Sequence, residues 1–205
     1  MSWPIREKIV STYNQKFRSL LSNSIFTKVK PNIVSYTAML FGLASAYFFG
    51  SGHTLIAGIL LLFSGMFDTF DGMIARINNS SSKFGAILDS SLDRYVEFMI
   101  FLGVLIFYRD DWMFFFVFFA LVGSIMVSYA RARAEALGSH KIVGVMQRPE
   151  RILLLATGAI INEPVSFFFN GSDIVLRITI ITLAIFSNIT AIQRILIIKR
   201  EEKSQ

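Results

Sequence analysis

"DTFDGMIARINNSSSKFGAILDSSLD", residues 68–93, places four aspartates, Asp68, Asp71, Asp89 and Asp93, between long runs of Leu, Ile, Phe, Val and Met. Asp68 and Asp71 are three apart and Asp89 and Asp93 four apart, so each pair occupies one face of its own helix. The intervening "GMIARINNSSSKFG" is long enough to turn the chain back. Two antiparallel helices with opposed acidic faces follow from this. An aspartate at a lipid-facing helix centre costs roughly 2.5–3.5 kcal/mol, so four such groups need a reason to be there. Facing carboxylates repel one another, and either protons or cations must relieve them. With oxygen ligands and no Cys or His nearby, a hard ion such as Mg²⁺ is favoured. Two metals sharing carboxylates could grip a phosphate. The plainer alternative is that these acids are wet helix ends, with Asp68 or Asp89 as caps and Arg94 pairing with one of the last two.

Around this stretch the chain is that of an all-α membrane protein. Its 205 residues are 54% hydrophobic and 17% charged, with a mean hydropathy of +0.57, well above soluble domains. Each span needs about 20 apolar residues. Six are expected, at about 32–50, 54–74, 86–107, 112–133, 151–169 and 174–197, the fifth interrupted by Glu163 and Pro164. They form one domain over 1–205, with a six-helix core at 31–198 and a tail at 199–205. Over residues 1–30, Ile5, Ile9, Tyr13 and Phe17 recur at helical spacing between Arg6, Lys8, Lys16 and Arg18, which predicts an amphipathic surface helix. No separate soluble catalytic domain fits.

The basic residues cluster in alternate connections, including Lys28, Lys30, Arg76, Lys83, Arg131, Arg133, Lys141, Arg148, Lys199 and Arg200. By the positive-inside rule both termini and the acidic turn face the cytoplasm of a multi-pass cell-membrane protein. This distribution also explains the net charge of +6 without nucleic acid. Cysteine is absent, which excludes thiolate chemistry and disulfides. No nucleophile–base pair points to a covalent intermediate.

Asp68-Thr-Phe-Asp71-Gly72-Met-Ile-Ala75-Arg76, followed after eight residues by Gly85-Ala-Ile-Leu-Asp89-Ser-Ser-Leu-Asp93, resembles the signature of the CDP-alcohol phosphotransferases. The resemblance implies a six-helix membrane enzyme, a homodimer, that transfers the phosphatidyl-type group of a CDP-linked lipid to an alcohol and releases CMP. It implies that Asp68, Asp71 and Asp89 hold two divalent metals, Mg²⁺ or Mn²⁺, with Asp93 completing the second site and acting as general base. It also implies a CDP pocket around Gly72, Ala75, Arg76 and Gly85. Glycines at 72 and 85 permit close approach of nucleotide or of a facing helix, and Arg76 offers a fork for pyrophosphate. "Pro31-Asn32-Ile-Val-Ser35" resembles the family's Pro-Asn-x-x-Thr element, with Ser35 keeping a hydroxyl, and Ser82 stands where the family often has Thr.

The acceptor is read from a second cluster, "SYARARAEALGSHKIVGVMQRPERILLLATGAI", residues 128–160, and "TAIQRILII" in the last span. These are similar to the phosphatidylinositol phosphate synthases and their archaeal counterparts, whose acceptor is inositol 1-phosphate. On that resemblance Arg131, Arg148, Arg151 and Arg194 line the acceptor-phosphate pocket. A phosphorylated polyol needs such cationic contacts, although orientation charge also accounts for Arg131 to Arg151. Arg194 lies within the last apolar run, where an arginine is functional by default. Glycerol 3-phosphate is the nearest alternative acceptor, and a cation transporter the distant alternative function.

Overall fold

The computed structural model describes residues 31–78, 82–139, 144–169 and 171–202. The amphipathic segment expected over 1–30 lies outside the described residues, as do Lys141 and the last residues of the tail. Six helices and no strand occur among the described residues: α1 (Pro31–Gly50), α2 (Thr54–Ile77), α3 (Lys83–Phe107), α4 (Met113–Ala136), α5 (Arg148–Phe168) and α6 (Ile174–Glu202). Five of them, all but α3, are long and apolar enough to cross a membrane. In α3, the 25-residue "KFGAILDSSLDRYVEFMIFLGVLIF", Asp93, Arg94 and Glu97 fall in every 18-residue stretch. Apolarity alone therefore does not mark it as a span.

The helix ends follow local chemistry. Ser82 adopts extended backbone and its Oγ accepts a bond from the Gly85 N–H at 3.0 Å, capping α3. Gln147, also extended, precedes α5, and Pro149 occupies its first turn, where a missing N–H costs nothing. α5 thus starts at Arg148, three residues before the expected span. It also passes through Pro164, because the lost bond falls only one turn from its end at Phe168. Asn162 Oδ1 accepts from the Leu176 N–H at 3.1 Å, satisfying one of the free donors opening α6. Between α1 and α2 the chain reverses over Gly52, whose φ of +85° suits a residue without Cβ.

Each helix packs mainly on two others, closing a ring in the order α1, α2, α5, α6, α4, α3 and back to α1. Small residues and hydroxyls set the seams, as expected where lipid removes the hydrophobic drive between helices. Ser45 donates to the Ala57 carbonyl and Ser64 to the Ala38 carbonyl, each at 2.8 Å, tying α1 to α2. Asn188 donates to the Phe119 carbonyl of α4 at 3.0 Å. α3 approaches α1 at Gly103, where an added Cβ would stand 3.0 Å from Ala46 Cα. At the ring's other end from the aspartates, Arg177 of α6 reaches the turn between α3 and α4. It donates to Asp111 Oδ2 at 2.6 Å and to Asp173 at 2.7 Å, with its guanidinium over Tyr108 and Trp112.

Gly103→Ala is expected to destabilise the protein by about 1–3 kcal/mol, because the obstacle is backbone and cannot rotate away; thermal denaturation in detergent measures it. The Arg177 hydrogen bond and the Met113 N–H hold the Asp111 carboxyl below its ordinary 3.8. A group whose folded value is depressed contributes stability above its unfolded pKa and loses it as pH falls through the folded one. Asp111→Asn should therefore melt earlier than wild type at neutral pH, and the difference should shrink as the pH is taken below 3.8.

Candidate active site

Asp68 and Asp71 sit in the last turns of α2, and Asp89 and Asp93 early in α3. Because α1 packs on both helices, its Ser35 faces the same space. α5 closes the fourth side through Arg148. Together Ser35, Asp68, Asp71, Asp89, Asp93 and Arg148 line a cavity with Ala38, Ser64 and Val96 among its apolar and small walls.

Within it, carboxylate oxygens of Asp68, Asp71 and Asp89 lie within 4.8 Å of one another. Asp71 is 4% exposed. The Ser35 hydroxyl is in hydrogen-bond contact with its carboxylate, yet Asp71 Oδ2 is buried with no partner among the described residues. An unpartnered buried carboxylate oxygen beside two more acids fits a cation ligand better than a solvated helix end. The all-oxygen donor set suits a hard divalent ion, which could stabilise charge on phosphate oxygens.

Asp93 is held differently. Arg148 Nη1 donates to Asp68 Oδ2 at 2.6 Å and contacts Asp93 Oδ2 at 2.7 Å, bridging α2 and α3. Arg94 is a more distant partner, 3.7 Å from Asp93. One turn beyond Asp93, Glu97 is buried and accepts two bonds from Arg151, Nε at 2.9 Å and Nη2 at 2.6 Å. Arg151 also donates to the Met146 carbonyl at 3.3 Å. Glu97 is the residue that sequence reading missed. The signal was available, since Asp89, Asp93 and Glu97 continue at intervals of four on one face of α3.

The other arginines lie on α4 and α6. Arg194 is 5% exposed and donates to the Val127 carbonyl at 2.7 Å. It lies within electrostatic reach of Arg131 and Arg151, offset by Glu135 and Glu150. Arg131 is exposed and paired with Glu135 at 2.8 Å. Gly72 follows Asp71 on α2 and is half-buried; Gly85 opens α3 above its Ser82 cap. Pro31 and Asn32 begin α1, and Ala75 and Arg76 lie in the last turn of α2; their placement rests on the backbone alone.

A ring of apolar helices with an acid-lined cavity at one end, flanked by arginines, is the architecture of a membrane-embedded enzyme acting on phosphates. The chain belongs to the CDP-alcohol phosphatidyltransferase family, whose model matches residues 28–187; it is a phospholipid-biosynthesis transferase. It is 32% identical over 192 residues to the archaetidylinositol phosphate synthase of Pyrococcus horikoshii, covering 93% of each chain. Among solved structures it is similar to the phosphatidylinositol phosphate synthase of Mycobacterium tuberculosis with CDP-DAG bound, at 30% identity and a TM-score of 0.72 over 89% of this chain and 90% of that one. The same synthase in complex with manganese and citrate superposes with a TM-score of 0.73 at 31% identity, covering 82% of this chain and 81% of that one.

Substituting Asp71→Asn is expected to weaken Mn²⁺ binding by about 100-fold or more, and Ser35→Ala by about tenfold, the scale of a lost ligand partner. Paramagnetic resonance of free Mn²⁺ during titration of the purified protein reads both.

Proposed function

We propose that the protein transfers the phosphatidyl-type group of a CDP-linked lipid, CDP-diacylglycerol or CDP-archaeol, to inositol 1-phosphate, forming a phosphatidylinositol phosphate and releasing CMP. The observation that carries the acceptor assignment is the arginine set beside the acid cavity: Arg148 and Arg151 on α5, Arg194 on α6 and Arg131 on α4, with Arg194 in electrostatic reach of Arg131 and Arg151. A neutral alcohol would not require so many cations. Similarity along nearly the whole chain to an archaetidylinositol phosphate synthase supports the same choice.

In this reading Asp68, Asp71 and Asp89 hold two Mg²⁺ or Mn²⁺ ions, with Asp93 completing the second site. The ions supply Lewis-acid stabilisation of charge on the phosphates. Ser35, Gly72, Ala75, Arg76, Ser82 and Gly85 shape the CDP side, with Pro31 and Asn32 opening it. Asp93 accepts the proton of the inositol hydroxyl, whose oxygen forms a bond to the lipid-bearing β-phosphorus. The bond from that phosphorus to the bridging oxygen breaks, and CMP leaves with the electron pair. Positioning and charge stabilisation supply most of the rate.

The membrane arrangement belongs to the same reading. α3 completes a six-span core by turning Asp89, Asp93 and Glu97 inward, away from lipid. Arg76, Lys83, Arg131, Arg148 and Lys199 lie at the aspartate end of the ring, and this positive charge supports a cytoplasmic location for that end and both termini. Soluble substrates then enter from the cytosol while lipid tails stay in the bilayer. A homodimer is part of the proposal by family.

Purified protein with Mg²⁺ and either CDP-lipid, offered inositol 1-phosphate, inositol and glycerol 3-phosphate in parallel, tests the assignment by mass spectrometry of the lipid products. Inositol 1-phosphate is expected to be the preferred acceptor; turnover of glycerol 3-phosphate with none of inositol 1-phosphate would overturn the choice. Arg194→Ala should raise KM for the acceptor by about 10–100-fold with a smaller change in kcat, the scale of one charged hydrogen bond.

A further inference from the structure

Arg148 stands on the wall between two cavities. One is the acid-lined cavity; the other is a small chamber between α2, α3, α5 and α6. Glu97 and Arg151 form the polar wall of that chamber, and Leu61, Phe101, Ile152 and Leu155 are among its apolar lining. In the acid cavity, one Arg148 nitrogen bonds both Asp68 Oδ2 and Asp93 Oδ2. These belong to the acids a divalent cation and a general base require. Cations compete for carboxylate oxygens, and a guanidinium beside a bound dication is repelled by it.

Two buried polar atoms show where the guanidinium can go. Glu97 takes both Arg151 bonds on Oε1, leaving Oε2 buried without a partner among the described residues. Arg148 Nε is likewise buried and unpartnered. Both residues line the chamber, and Glu97 already acts electrostatically on Arg148. Unsatisfied groups of opposite charge on one chamber wall are costly apart and complementary together.

We propose that Arg148 is an internal counter-ion that holds the acid cluster in the metal-free protein and is displaced by the divalent cation toward the chamber, where the free oxygen of Glu97 receives it. Glu97 is thus a positioning residue that favours the metal-loaded site through Arg148, without touching metal or substrate. Displacement also releases the Asp93 carboxylate from its guanidinium partner. The inference rests on the reading of Asp68, Asp71 and Asp89 as a divalent cation site.

Equilibrium Mn²⁺ titration of the purified full chain, followed by paramagnetic resonance, separates the possibilities without any assay of turnover. Arg148→Gln is expected to bind Mn²⁺ about tenfold more tightly than wild type despite reduced activity, and Arg148→Lys, which keeps the charge, to stay near wild type. Glu97→Gln should weaken binding by a similar factor, and this loss should vanish in the Arg148→Gln background, as a cycle between coupled residues requires. The Mn²⁺-induced rise in melting temperature shows that each variant is folded. Equal or weaker binding by Arg148→Gln overturns the proposal, and so does a Glu97→Gln effect that persists in full in the double variant. If Arg148→Gln does not fold, an unchanged affinity in Glu97→Gln overturns it and a weakened one supports it. Absence of Mn²⁺ binding by wild type overturns both this inference and the metal-site reading, whereas wild-type binding with the wrong sign for Arg148 overturns this inference alone.

Discussion

The bridge from Arg148 to Asp68 and Asp93 is the contact on which the site end of the molecule depends. Carboxylates from two helices face each other in a low-dielectric ring, where like charges are expensive unless a cation stands between them. Arg148 meets that need from a third helix, so neutralising the acids also fixes α5 against α2 and α3. α3, whose charged residues keep it from resembling a simple apolar span, is held in the ring by the same charges. Asp93 and Glu97 engage α5 through Arg148 and Arg151, one above the other. Removing one partner of such a buried set leaves an uncompensated charge, which costs far more than the pair contributes in isolation.

The two ends of the ring are built on different terms. At the end remote from the aspartates, Arg177 has fixed protein partners in Asp111 and Asp173 and two aromatic faces around it. Nothing in that arrangement competes with a ligand. At the aspartate end, by contrast, Asp71 Oδ2, Glu97 Oε2 and Arg148 Nε are buried with hydrogen-bonding capacity unused. The contrast lies in charge rather than in satisfied hydrogen bonds, since Tyr108 Oη beside Arg177 is also buried without a partner among the described residues: Arg177 is paired with two carboxylates, while the aspartate end keeps charged groups with unused hydrogen-bonding atoms. Close seams such as Gly103 against Ala46 keep the intervening span rigid, so rearrangement at the site need not spread along the helices.

What could be read from the sequence follows the range of the interactions involved. The aspartate pairs were legible because helical periodicity alone puts residues three or four apart on one face, and the polar turn between them reverses the chain. Their convergence to within 4.8 Å for Asp68, Asp71 and Asp89 needed only that reversal. Glu97 could be placed on the acidic face of α3 by its spacing, but its pairing could not be read, because Arg151 is 54 positions away and nothing local indicates which arginine will face it. Helix ends show the same division. Pro149 after an extended Gln147 is a start signal that hydropathy overlooks because Arg148 and Arg151 look like loop charge. Pro164 suggests an end that does not occur, since helix packing sustains α5 for the last turn.

The arginines separate into those already committed and those still able to recognise an anion. Arg151 spends Nε and Nη2 on Glu97 and Nη1 on a carbonyl, and is buried at 2% exposure. A guanidinium so placed can still contribute charge, but its geometry is set by Glu97. Arg131 is exposed and shares its charge only with Glu135, so its side chain can reorient at little cost. Arg194 lies between these extremes, buried and anchored through Nη1 to a backbone carbonyl, which fixes its position. Arg194 is therefore a cation of fixed position and Arg131 an adjustable one, whereas Arg148 is held by the acids. The acid cluster and the arginines of α5 are thereby parts of one electrostatic system, joined at Arg148 and Glu97.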